Sequence, residues 1–139
     1  MWRTRSMAPV VSWTEIIDLR AGTSRYTHMS PETVHIVGLT PEQLLAEPAH
    51  FPRLVHPDDR ARIVDSSRSA EATGEWEDTY RILRPDGEIR WVHGRGRRVE
   101  SDEPGISVWH GITIDVTAQV EAAQAAGLAP SVWATPPPG

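Results

Sequence analysis

Several groups of residues in this 139-residue chain have types and spacings that chemistry could use. His56-Pro57-Asp58-Asp59 gathers three metal-capable side chains within four positions. The same string also reads as a helix start: proline sets the first turn and an aspartate, Asp58 or Asp59, accepts from unpaired N–H groups. Side chains crowded into a helix start converge poorly on one ion. His93 and His110 fall in two late stretches of strand-like alternation, where they could face each other as a metal pair or a proton sensor. As ordinary strand residues they need no such role. Arg90, Arg95, Arg97 and Arg98 could contact phosphate, but Glu75, Glu77, Glu100 and Asp102 lie close in sequence. Gly94 and Gly96 make no phosphate loop, because no helix start follows them; glycines inside a strand signal close approach of backbone or ligand. Ser66, Ser67 and Ser69 have no recognisable histidine and acid partners, and no carboxylate pair has a spacing that marks acid and base.

Composition narrows the chemistry further. There is no cysteine, which removes disulfides, thiolate metal sites, a cysteine nucleophile and a cysteinyl-flavin adduct. All 14 basic residues are arginine, so neither a lysine Schiff base nor a P-loop lysine is available. The net charge of −5 argues against a general attraction to nucleic acid. No apolar run approaches the roughly 18 residues of a membrane span, and the first residues lack the apolar core of a secretion signal. The expectation is a cytoplasmic domain with no nucleic-acid or membrane partner. A small metal-binding or enzymatic domain using His56, His93 or His110 stands as the alternative to a non-catalytic one.

The elements that must position these residues follow from turn and period signals. Residues 1–12 have no sustained period and read as an N-terminal flank. Strand-like stretches run from Trp13 to Leu19 and from Ser24 to Met29, with a turn around Arg20 to Thr23. Ser30-Pro31 and Thr40-Pro41 each open a short helix, the first ending at Gly38, the second before Pro48. Such helices are too short to stand alone. A longer helix starts at Asp58 or Asp59, places Ile63, Val64, Ser67 and Ala70 on one narrow face, and stops at Gly74. The period then changes to two. Strands over Trp76–Leu83, Ile89–Val99 and Ile106–Val116 form a meander, and Thr117 caps a helix over residues 118–126 closed by Gly127. Residues 128–139 read as a proline-rich disordered tail. The fold class is α+β, with helices gathered on one face of an antiparallel sheet.

Between the third and fourth strands, Arg84-Pro85-Asp86-Gly87 reads as a type I turn with a glycine bulge. It predicts cross-strand pairs Ile82 with Ile89, Tyr80 with Trp91, Asp78 with His93, and Trp76 with Arg95, the last close enough for a cation–π contact. That register puts Tyr80, Ile82, Ile89, Trp91, Ile112 and Ile114 on one face, and Thr79, Val92, Gly94, Trp109, Gly111 and Thr113 on the other.

LVHPDDRARI, then YRILRPDGEIRWVHGRGRRV, then WHGITIDVT, together with the upstream MSPETVHIVGLTPEQLL, resemble the PAS domain with its C-terminal PAC motif. The likeness is to the bacterial subgroup with an HPDD helix start and an Asp-Ile-Thr ending, and it spans about residues 13–117. Here that ending is Asp115-Val116-Thr117. The resemblance implies a five-stranded sheet in the order 2-1-5-4-3, with a cavity between sheet and helices. It implies a sensory or regulatory module rather than fixed chemistry, with an expected pocket of Leu45, Phe51, Leu54, Ile63, Val92, Trp109 and Thr113. Any ligand there is expected to be small and apolar. No cofactor is expected: heme-binding relatives take an axial histidine from the long helix, and residues 59–73 contain none. The resemblance also gives Asp115 and Thr117 a relay role, in which the aspartate, held by an arginine or a backbone donor, passes sheet strain to the short following helix at 118–127. A signalling output protein would then act in trans. In relatives the position of Trp91 points away from the cavity, so the greasy face is assigned to the outside, covered by the flanks or by a second subunit in a homodimer.

Overall fold

The computed structural model describes residues 9–127. The expected tail at 128–139 and the first eight residues of the expected flank lie outside that range. The elements are β1 (Val10–Asp18), β2 (Thr23–Met29), α1 (Thr33–Val37), α2 (Pro41–Leu45), α3 (His50–Leu54), α4 (Pro57–Thr73), β3 (Glu75–Leu83), β4 (Ile89–Val99), β5 (Ile106–Asp115) and α5 (Thr117–Ala125). The strands form one antiparallel sheet in the order β2-β1-β5-β4-β3. β1 begins three residues before the expected start, so Val10, Val11 and Ser12 belong to the sheet rather than to a flank.

Local chemistry sets the boundaries. The Asp18 carboxylate accepts from the N–H groups of Arg20 and Ala21, and Gly22 takes a φ of 69°, which folds β1 back into β2. At α2 the Thr40 hydroxyl accepts from Gln43 N–H while the Gln43 side chain accepts from Thr40 N–H, a reciprocal cap that satisfies two end donors. Neither Asp58 nor Asp59 caps α4. The His56 ring does, its Nδ1 accepting from Asp58 N–H at 3.1 Å, and Pro57 supplies the first turn. α3 was not legible in the sequence: five residues with two prolines nearby carry no helical period.

The β3–β4 connection is the expected turn, with Gly87 at φ 87° and its N–H donating to the Arg84 carbonyl. The predicted register is nevertheless wrong by one residue. Arg84 N–H donates to the Glu88 carbonyl, so Arg84 and Glu88 form the closing pair. The true pairs are Leu83 with Ile89, Arg81 with Trp91, Tyr80 with Val92, Thr79 with His93 and Trp76 with Gly96. A one-residue slip moves one strand's side chains to the opposite face relative to its neighbour. Tyr80 and Ile82 therefore lie inside, buried in the main core with Val92. Ile89, Trp91, Ile112 and Ile114 share the outer face, with Ile89 and Ile112 exposed and Trp91 and Ile114 partly so. Arg95 pairs with Glu77 across the strands rather than with Trp76. The cation–π contact is made instead by Arg81, 5.3 Å from the centroid of the Trp91 ring.

Candidate functional site

The inner face of the sheet is organised by three tryptophans and three glycines. Gly111 and Gly96 stand beneath the ring of Trp13, and Gly94 beneath Trp76. A Cβ built on them would come within 2.0, 2.7 and 2.6 Å of those rings. The glycines do make room for close approach, but indoles occupy it. Each indole N–H is paired: Trp13 donates to Thr113 Oγ1, Trp76 to Ser66 Oγ and Trp109 to Ser107 Oγ.

Beside this filled region the helices stand off from β1 and β2, leaving a cavity of about 700 Å³. Val11, Trp13, Glu15 and Ile17 of β1 line its floor with Tyr26 of β2 and Trp109 of β5, while α1, α3 and α4 supply Ile36, Phe51 and Ile63. The narrow face expected on α4, Ile63, Val64, Ser67 and Ala70, faces this space. Of the seven expected pocket residues, Phe51, Ile63, Trp109 and Thr113 line the cavity. Leu54 and Val92 are buried in the core instead, Val92 with no exposed surface, and Leu45 is a half-buried residue of α2; none of the three lines the cavity.

Sequence reasoning missed the most unusual lining residue. Glu15 points to the same face as Trp13 and Ile17, directly across from Tyr26 on β2 and Trp109 on β5. Burial pushes its carboxyl up to about 7, and the like charge of Glu71 pushes the same way, against a lowering hydrogen bond with Ser24. Burial also raises the phenols of Tyr26 and Tyr80 above their ordinary range. The available signal was the alternation Trp13, Glu15, Ile17, which puts one carboxylate in an apolar row.

At the other end of the sheet, β4, β5 and α5 meet in a polar clamp. Buried Asp115 accepts from Arg90 Nε and Nη2 through Oδ2, both at 2.8 Å, and from Thr117 N–H through Oδ1 at 2.8 Å. Thr117 does not cap α5. Its hydroxyl accepts from Trp91 N–H at 2.8 Å, and the helix follows Val116, whose N–H donates to the Trp91 carbonyl. α5 packs against β4 and buries Val120 and Ala123. A second clamp, also missed, ties α4 to the β3 edge. Asp59 accepts from Arg81 N–H, Nε and Nη2 at 2.7–3.0 Å. Burial opposes ionisation of Asp59, but these bonds and the charges of Arg81 and Arg62 hold its carboxyl below the usual range.

The histidines considered as metal ligands or catalytic groups serve separate local structures. His56 caps α4, His93 Nε2 lies 2.7 Å from Glu77 with Nδ1 on the Thr79 hydroxyl, and exposed His110 bonds Thr14. His93 stands opposite Ile114 and His110 opposite Arg97, so the two do not face each other. Among the described residues no group of three or more His, Cys, Asp or Glu could hold a metal ion, and no helix is long and apolar enough to cross a membrane.

Comparison with known proteins agrees with this architecture. The family model for the PAS fold matches residues 26–113, and the chain belongs to that family. Among curated proteins it is 29% identical over 93 residues to a methyl sulfide methyltransferase-associated sensor of Methanosarcina acetivorans, covering 66% of this chain and 9% of that protein. It is 32% identical over 97 residues to a blue-light-activated histidine kinase of Brucella anthropi, covering 67% and 18%. The chain thus spans under a fifth of either relative. Among solved structures, the N-terminal domain of a diguanylate cyclase with PAS/PAC sensor from Marinobacter aquaeolei superimposes with a TM-score of 0.65 at 18% identity, covering 79% of this chain and 97% of that one. A domain of a putative light and redox sensing histidine kinase from Haloarcula marismortui gives 0.65 at 20% identity, covering 81% and 93%. The solved structures show the fold, and the two curated relatives support a sensory module of signal transduction.

Proposed function

We propose that this PAS domain is a non-catalytic sensor that binds a small molecule between its sheet and helices and passes occupancy through β5 to α5. The observation that carries the reading is the cavity itself, about 700 Å³ and floored by β1 and β5, set in the same sheet whose last strand ends in the Asp115 clamp. A ligand touching Trp109 or Thr113 acts directly on β5. Because Asp115 binds both Arg90 of β4 and the first N–H of α5, a shift of β5 against β4 changes how the helix is held. Native mass spectrometry of the purified protein tests the first half: a copurifying small molecule, released on unfolding, is expected. Hydrogen exchange tests the second. Asp115→Asn is expected to speed exchange of the first α5 amides while leaving β1 and β2 protected; unchanged exchange in α5 would remove Asp115 from the relay.

The outer face supports a homodimer. Ile89, Trp91, Ile112 and Ile114 form an apolar row there, and a self-complementary patch closes most simply around a two-fold axis. Sedimentation of the wild type against Ile114→Glu and Trp91→Glu is the check, with loss of dimer in the variants expected. A wild type that stays monomeric at high concentration would refute the homodimer.

A further inference from the structure

We propose that the cavity takes an organic cation: a small amine whose ammonium group rests against Glu15, between the rings of Tyr26 and Trp109. The inference rests on the ligand-binding reading above and names the class of ligand.

The argument starts from register. Tyr26 and Trp109 are the two cross-strand neighbours of Glu15, one on each side, and all three line the cavity. Directly opposed side chains on one sheet face have Cβ atoms about 4.5–5.5 Å apart. A carboxylate between two aromatic rings combines the two groups that attract an ammonium ion: a full negative charge and the negative faces of π-systems. The Trp109 indole N–H is already given to Ser107.

Of the other charges on the cavity wall, all but Arg68 are committed. Glu71 accepts from Ser107 and lies 3.1 Å from the Arg98 guanidinium. Arg60 donates to the carbonyls of Val55 and Arg53, and Asp18 accepts from the β1–β2 turn. Arg68 is exposed on α4, where solvent screens it. Among the described residues, Glu15 is met by the Ser24 side chain and by no cation. A carboxylate enclosed among rings and aliphatic side chains is costly unless a cation or several donors meet it. An ammonium supplies both charge and donors. An anionic ligand would meet Glu15 and Glu71 together. A neutral alcohol would leave the carboxylate without its counter-charge.

The groups facing Glu15 are Tyr26 and Ser24 from β2, Trp109 from β5, Tyr80 from β3 and Glu71 from α4. The two phenols stay neutral at ordinary pH, so ionisation of Glu15 itself dominates the pH response. Amine binding should tighten as pH rises through about 7.

Calorimetric titration of the full chain with benzylamine, hexylamine, benzyl alcohol and benzoate at pH 8 tests the proposal. The two amines are expected to bind, benzyl alcohol at least about tenfold more weakly, as expected for loss of a charge-assisted contact, and benzoate not at all. Glu15→Gln should weaken the amines by about tenfold or more. Tyr26→Leu should weaken them severalfold and Tyr26→Phe should not, because the ring face rather than the hydroxyl holds a cation. Circular dichroism shows that each variant is folded. Equal binding of amine and alcohol, or amine binding indifferent to Glu15→Gln, overturns the cation and leaves a ligand-binding cavity standing. Binding of none of the four probes, with no small molecule in the native mass spectrum, overturns both readings.

Discussion

Around Gly94, Gly96 and Gly111 the inner face of the sheet is filled by the rings of Trp13 and Trp76; around Glu15, Ile17 and Tyr26 the same face is left open. Both regions carry aromatic residues: Trp13 and Trp76 in the first, Tyr26, Phe51 and Trp109 in the second. They differ in what lies beneath the rings. Glycine lets an indole settle onto the backbone and exclude everything else. On the open side the floor positions carry Glu15, Ile17 and Tyr26 in place of glycine. The filled half is a core in the usual sense, with Ile82 and Val92 wholly buried beside it. The open half carries Glu15 and the cavity of about 700 Å³. Apolar content alone therefore does not say where the sheet is covered and where it is hollow; the size of the floor residues does.

The strongest way to break this comparison is to remove the ring that fills the first half. Trp13→Ala should cost about 3–5 kcal/mol, as for large aromatic truncations in tight cores, read as a lower urea midpoint. A cost under about 1 kcal/mol would mean that the Trp13 ring is not what packs this half of the sheet.

The charge in the open half gives the next effect, and its sign can be worked out. Glu15 has a folded pKa of about 7 against an ordinary 4.5, so the folded state holds its proton more tightly. Its contribution is most favourable below pH 4.5 and is lost as pH rises to about 7, after which it is constant. The span corresponds to about 3 kcal/mol. Asp59 acts oppositely: its lowered pKa contributes stability that is lost as pH falls. The measurement is therefore a difference, wild type minus Glu15→Gln, in denaturant melts from pH 4 to pH 8. Glu15→Gln should gain relative to the wild type as pH rises. A flat difference would mean that water, rather than apolar wall, surrounds the carboxyl.

Smaller changes sharpen the boundary between the halves. Gly111→Ala, whose new methyl would meet the Trp13 ring, should cost about 1–3 kcal/mol. Tyr26→Phe, on the open side, should stay within about 0.5 kcal/mol of wild type. Thermal melts of the two proteins side by side are enough; equal losses would erase the distinction.

The sequence made local features legible because short-range chemistry decides them. Gly38 and Gly74 end helices in the left-handed conformation, the Thr40-Gln43 cap follows from two side chains three apart, and Pro85-Asp86-Gly87 makes its turn. The errors arose one step beyond local chemistry. Reading the bulge correctly but miscounting its closing pair was enough to place Tyr80 and Ile82 on the wrong face. Assigning the α4 cap to an aspartate overlooked that Asp59 has a stronger partner, Arg81, 22 residues away.

By itself, then, the sequence determined the class of fold, the turns, most element boundaries and the family likeness, all of which rest on periods and on residues within a few positions of one another. Only the tertiary structure decided what the inner face does. The Trp13 ring meets Gly111 across paired strands that are far apart in the chain, and Glu15 becomes a partly buried acid only once β2 and β5 bring Tyr26 and Trp109 alongside it. Whether a floor position is filled or hollow depends on side-chain volumes contributed by separate strands and helices, and no local pattern carries that sum.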